Sequence, residues 1–179
     1  MAASYNKNPA NAASSPAYHP CTGRRAANES QLPVHGLPIT PLSMPDYSSI
    51  VREMKSRYAL RIRRWRRSMT GCSWRTCYAD GRCINWIESP YPKTPISLAI
   101  FLHEVGHHVI GFHTYRVRCE EEYHVWLWAM NAMREYGIEP DARVHQRFQR
   151  SMEYAVGKAL RRGAKRLPHD LHQFLPQAA

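Results

Sequence analysis

Apolar residues recur along this chain at two different spacings, and the change of spacing divides it into elements. Behind Asp46, a good helix N-cap, Ile50, Met54, Tyr58 and Ile62 follow at intervals of four, which predicts a helix over 46–67. The stretch 72–87 is instead rich in β-branched and aromatic residues, with Asp80-Gly81 at its middle, the mark of a two-residue hairpin turn. Such a turn pairs Ala79 with Arg82, Tyr78 with Cys83 and Cys77 with Ile84. Cys77 and Cys83 then lie on opposite faces, and no disulfide joins them. A proline-rich link leads to Thr94-Pro95, an N-cap and a first helical residue, so a helix is expected over 95–111. Two more are predicted over 120–137 and 140–162. The last of these shows Val144, Phe148, Met152, Ala155 and Ala159 at spacings of three and four, and Gly137 and Gly163 act as stops. The tail to Leu175 is expected to pack back as a turn. The pattern implies an α+β fold in which a small antiparallel sheet, its hairpin at about 73–87, packs on four helices.

Composition places a boundary near residue 45. Residues 1–45 hold seven of the 13 prolines, with Ala, Ser and Asn between them and no hydrophobic period, and are expected to form a disordered arm ahead of one domain over 46–179. A 44% hydrophobic content with 5 Trp and 10 Tyr excludes a wholly disordered or fibrous chain. The longest apolar run, 96–102, is far short of the roughly 20 residues that span a bilayer, so no membrane partner is expected. The first residues lack the apolar core of a signal peptide, which points to the cytoplasm. Five cysteines without a CxxC pair fit neither a disulfide framework nor a structural zinc cluster, and are expected as reduced thiols.

Charge changes the picture further. Lys and Arg number 25 against 14 acids, a formal +11, and the stretch 52–67 alone carries eight basic residues against Glu53. An arginine-rich 52–67 helix suggests contact with nucleic-acid phosphates, with a solvated basic face as the plainer reading. Trp65 alone does not make a stacking platform.

The chemistry is concentrated in Leu102-His103-Glu104-Val105-Gly106-His107-His108, an HExxH. With 10 His and 10 Glu in 179 residues, a chance HExxH is expected about 0.03 times. Spacing of four puts His103 and His107 one helical turn apart on one face, where both imidazoles reach one Zn2+ and Glu104 faces its water as general base. The flanking helix is apolar nearly all round, so these polar groups would be buried at a cost that a metal removes. His108, about 100° further round, faces away. A third ligand is needed. Glu122 ranks first, on the stripe it forms with Val125, Trp126, Ala129 and Met133, and Glu121 on the adjacent stripe is a close second. Exposed acids favoured by a helix N-terminus are the plain reading of Glu120, Glu121 and Glu122. His113 stands at the metzincin offset, although Ile110 occupies the glycine slot, and His124 suits a SprT-like arrangement. Tyr115 and Tyr123 are candidate oxyanion donors for which packing is the simpler role, and Trp126 and Trp128 read as core.

Across about 70–136 the hairpin at Asp80-Gly81, the apolar HExGH helix and Glu121-Glu122-Tyr-His-Val-Trp-Leu-Trp128-Ala129 resemble the minimal gluzincin peptidases of the ImmA/IrrE type. Setting Trp128-Ala129 on that family's Phe-Ala places its third ligand at Glu122, while Val125 and Trp126 depart from its small residue and Asn. The resemblance implies a zincin-like core, a zinc-dependent endopeptidase acting on a protein or peptide substrate, and a cleft-lining edge strand that pairs with it, here 82–87. Two other readings stand beside this one: a basic nucleic-acid-associated or adaptor protein with a structural metal, and a SprT-like protease brought to DNA.

Overall fold

The computed structural model describes residues 46–176. The expected arm over 1–45, with Cys21, lies outside them.

Asp46 caps the first helix, α1 (Tyr47–Arg57), its carboxylate accepting from the amides of Ser48 and Ser49, and Ile50, Val51 and Met54 are buried. The helix does not reach residue 67. It ends at Tyr58, Ala59 takes a φ of 49°, and Leu60–Arg66 is a strand, β1. The four-residue spacing is followed only as far as Met54; beyond it Leu60 and Ile62 are read at a spacing of two, and Ile62 lies beside the fully buried Ile87. Pairing with a distant strand outweighs local helix propensity here.

Strands β2 (Cys72–Cys77) and β3 (Cys83–Pro90) form the expected hairpin, but one residue out of register. The Tyr78 amide donates to the Arg82 carbonyl at 2.8 Å and the Gly81 amide to the Tyr78 carbonyl at 3.0 Å. With Gly81 at φ 82°, this is a three-residue loop closed by a bulge, not a two-residue turn. The shift brings Cys77 opposite Cys83, and the two are joined as a disulfide. The expectation of reduced thiols therefore fails for this pair, whereas Cys72 and Cys119 are free.

The sheet has the order β1-β3-β2, with β1 parallel and β2 antiparallel to β3. It is mixed rather than antiparallel because β1, read in the sequence as helix, joins it. Strand β3 is central, so the 82–87 segment offers no free edge; β2 does.

Helix α2 (Pro95–Ile110) begins as the sequence indicates. Thr94 and Ser97 form a capping box, with Pro95 in the first turn. Every residue from Ser97 to His108 is buried, as its all-round apolar sequence requires. It lies between the sheet and the helices α3 (Arg118–Glu135) and α4 (Ala142–Arg161). A 3-10 turn, His169–Phe174, folds the tail back and buries Leu171 and Phe174. No described helix is long and apolar enough to cross a membrane.

Candidate metal centre

The capped start of α2 fixes the rotation of the helix, and the i, i+4 spacing then sets the His103 and His107 rings edge to face, 4.9 Å apart between centroids. Helix α3 closes against α2 at Gly106, where an added Cβ would stand 3.0 Å from both the Val125 and Trp128 side chains and 3.3 Å from the Val125 carbonyl oxygen. That close approach delivers Glu122. Its Oε2 lies 3.2 Å from His103 Nε2 and 3.7 Å from His107 Nε2.

These three side chains form a group able to hold a metal ion, their ligand atoms all within 4.8 Å of one another. Zinc–ligand lengths of roughly 2.0–2.1 Å at a tetrahedral angle demand about 3.3 Å between neighbouring ligand atoms. The observed 3.2 and 3.7 Å fall on either side of that figure. Two imidazoles and one carboxylate are also a donor set that zinc accepts. The residues fit the ion.

Burial sets the charge state of the group. It is the main force holding the His107 imidazole down to about 3, with neighbouring His103 adding to it, so this ring is neutral and its lone pair is available. Burial alone would raise Glu122, but the hydrogen bond with His103, the neighbouring imidazoles and Arg118 bring it to about 2. Glu122 is therefore ionised.

Around the group stand residues whose observed roles the sequence did not assign: Glu121 is its second candidate for the third ligand, and Arg118 is not singled out. Glu121, only 1% exposed, accepts from the His113 amide at 2.8 Å and from Arg118 Nη1 at 2.6 Å, and its Oε1 is 3.3 Å from His107 Nδ1. It lies behind the imidazole, neither a member of the ligand group nor an exposed terminal acid. Arg118 Nε donates to Glu122 Oε1 at 2.9 Å, so one guanidinium ties both carboxylates in place. An i, i+3 and i+4 relation from Arg118 to these acids is the signal that could have found it. The other candidates lie elsewhere. His113 contributes its backbone amide, at a φ of 62°, and its ring is outside the group. His124 stacks on Tyr115 at 4.5 Å, and Tyr123 packs on Phe148 and Phe174 in the core. His108 turns away as expected, its Nε2 3.0 Å from the Trp86 carbonyl oxygen. Trp126 is core, its ring system 4.5 Å from that of His103, and Trp128 packs against Gly106.

Glu104 is buried beside the turn into β2. A Cβ on Gly71 would press into its side chain, so glycine is what leaves room for the carboxylate. Burial pushes the Glu104 carboxyl up, with neighbouring His103 and the Ser73 hydroxyl acting against it. The ligand group and Glu104 open together on a cavity of about 840 Å³, walled on one side by 70–73 and on the other by α4. Arg147 and Lys158 of α4, and Arg162 just beyond its end, line that wall, and none of them pairs with a carboxylate among the described residues. Comparison with protein-family models, with curated proteins and with solved structures finds no match to this chain.

Proposed function

We propose that the protein is a zinc-dependent endopeptidase with a zincin-like core, in which His103, His107 and Glu122 hold the ion and Glu104 is the general base. The observation that carries this reading is the convergence of these three ligand atoms from α2 and α3 within 4.8 Å of one another, with Glu122 3.2 and 3.7 Å from the two imidazole nitrogens. A zinc ion held there supplies a water acidic enough to ionise near neutral pH and a positive charge for the carbonyl of the scissile bond. Glu104 takes the proton from the attacking water and passes it to the leaving amine nitrogen. Its burial suits that work, because a carboxylate raised above its ordinary range holds a proton more readily in transit. Arg118 acts indirectly, its Nε tying Glu122 in its ligating orientation, while Glu121 presents its carboxylate 3.3 Å from His107 Nδ1.

The free edge of β2, which begins at the cavity wall, offers backbone groups to an extended peptide. On the opposite wall, Arg147 has a buried Nε without a hydrogen-bond partner among the described residues. With Lys158 and Arg162 it favours a substrate carrying acidic side chains beside the scissile bond.

The test is digestion of a mixed synthetic peptide library by zinc-loaded wild type, read by mass spectrometry. Cleavage is expected next to Asp- and Glu-rich positions, abolished by chelator and lowered at least 100-fold in Glu104→Gln. Hydrolysis by Glu104→Gln at the wild-type rate would reject the assignment.

A further inference from the structure

The sheet has a cationic and aromatic face on the side away from its core. Alternation along the ladders sorts its residues by face. Leu60, Ile62 and Ile87 point to the core, and Trp65 on that side packs 6.1 Å from Phe101 of α2. On the other face, β3 presents Trp86 beside Trp74 of β2 and beside Arg61 of β1. A bulge between Ile62 and Arg64 shifts the register of β1. It turns consecutive arginines, 63 and 64, to the same outer face. Arg66 follows there, so four arginines form one row along β1.

The geometry of this face is ordered rather than diffuse. The rings of Trp74 and Trp86 lie 6.3 Å apart and only 20° from parallel, forming a flat aromatic pair. The Arg63 guanidinium stands 5.8 Å over Trp74. Glu88, the acid of the outer face, has a side chain only 7% exposed and reaches Arg63, Arg64 and Arg66 at 3.5, 3.2 and 2.9 Å. One buried carboxylate thus aligns three guanidinium groups, two of which remain 67% and 68% exposed. The row stays strongly positive.

We infer that this face binds single-stranded nucleic acid, its phosphates along the β1 arginine row and its bases stacked on Trp86 and Trp74. Cations and flat rings sit side by side at the strand spacing of roughly 4.8 Å, which matches a strand whose backbone and bases run in parallel tracks. A duplex offers the arginines its phosphates but keeps its base faces stacked inside. An acidic peptide offers charge but no rings for the indoles. The reading does not rest on the metal centre, and it replaces an arginine-rich helix by an arginine-rich strand with two tryptophans beside it.

The test is fluorescence anisotropy of the full chain with a labelled 20-nucleotide single strand, the same sequence as duplex, and a polyglutamate peptide. Single strand is expected to bind at least 10-fold tighter than either competitor and to quench tryptophan emission. Trp74→Ala or Trp86→Ala should each weaken it about 5- to 100-fold. Phenylalanine at the same positions should restore most of the affinity while preserving the fold. Arg63→Ala with Arg64→Ala should lower the slope of log affinity against log salt by about 1.4. Equal or tighter binding of the duplex or the peptide overturns the inference, as does single-strand affinity that the tryptophan and arginine variants leave unchanged.

Discussion

Replacing Gly71 by alanine separates the proposed general base, Glu104, from the proposed metal centre. A Cβ at residue 71 would stand 2.5 Å from Glu104 Cγ and 2.7 Å from its Cδ, whereas carbon atoms rest at about 3.5 Å. The carboxylate must therefore withdraw by roughly 1 Å, which its own rotatable bonds permit without moving the helix. Displacing a catalytic group by that distance costs about 100-fold in rate, or about 2.7 kcal/mol of barrier. The three atoms nearest the added methyl all belong to Glu104 and none to a ligand, so the zinc content should not change. The assay is kcat/KM on the best peptide from the library, alongside zinc per chain and thermal melting of wild type and Gly71→Ala. Hydrolysis falling about 100-fold with zinc and fold retained is the expected result. A Gly71→Ala protein that cleaves like wild type, or that loses its zinc, refutes the placement of Glu104 against this turn.

Glu121→Gln removes the charge behind His107 and should weaken zinc about 10- to 100-fold in competition with a chelating dye; unchanged affinity would show that Glu121 does not support the site. Gly106→Val should cost about 1–3 kcal/mol in urea unfolding, because the Val125 carbonyl at 3.3 Å is backbone and cannot step aside; a neutral result would mean α2 and α3 are less tightly packed than described. Acid should destabilise the zinc-free protein. His107 is held at about 3 when folded against an ordinary 6.5, so between these values the unfolded chain binds the extra proton and stability falls as pH drops through that window. Glu122, at about 2 against 4.5, adds a loss of the same sign lower down. Urea midpoints at pH 7, 5 and 4 should fall in that order, and less steeply in His107→Phe; a flat profile contradicts the buried neutral imidazole.

The parts of the fold legible in the sequence were those set by local rules. Thr94-Pro95 starts α2, Asp46 caps α1, and the glycines at 137 and 163 follow helices that end where their apolar periods do. The strand β1 was not legible, because Ile50, Met54, Tyr58 and Ile62 satisfy a helical spacing and only the parallel partner Ile87 decides otherwise. The hairpin was seen but its register missed by one, since Asp80-Gly81 serves a two-residue turn and a three-residue bulged loop equally well; the disulfide follows from that one residue. At the site, His103, Glu104 and His107 announce themselves by spacing, and the stripe argument favours Glu122. What the sequence hides is the supporting layer. A glutamate in the first turn of a helix is ordinarily solvated, and only the loop that folds His113 over Glu121 buries it. In the same way, the partnership of Gly71 with Glu104 joins residues 33 positions apart that share no pattern.

The metal content of the purified protein tests the central claim most directly. Elemental analysis after zinc supplementation and removal of free metal should find about one zinc per chain in wild type and in Glu104→Gln, and none in His103→Ala or Glu122→Ala. Wild type without zinc, or Glu122→Ala retaining it in full, would contradict a centre built from His103, His107 and Glu122.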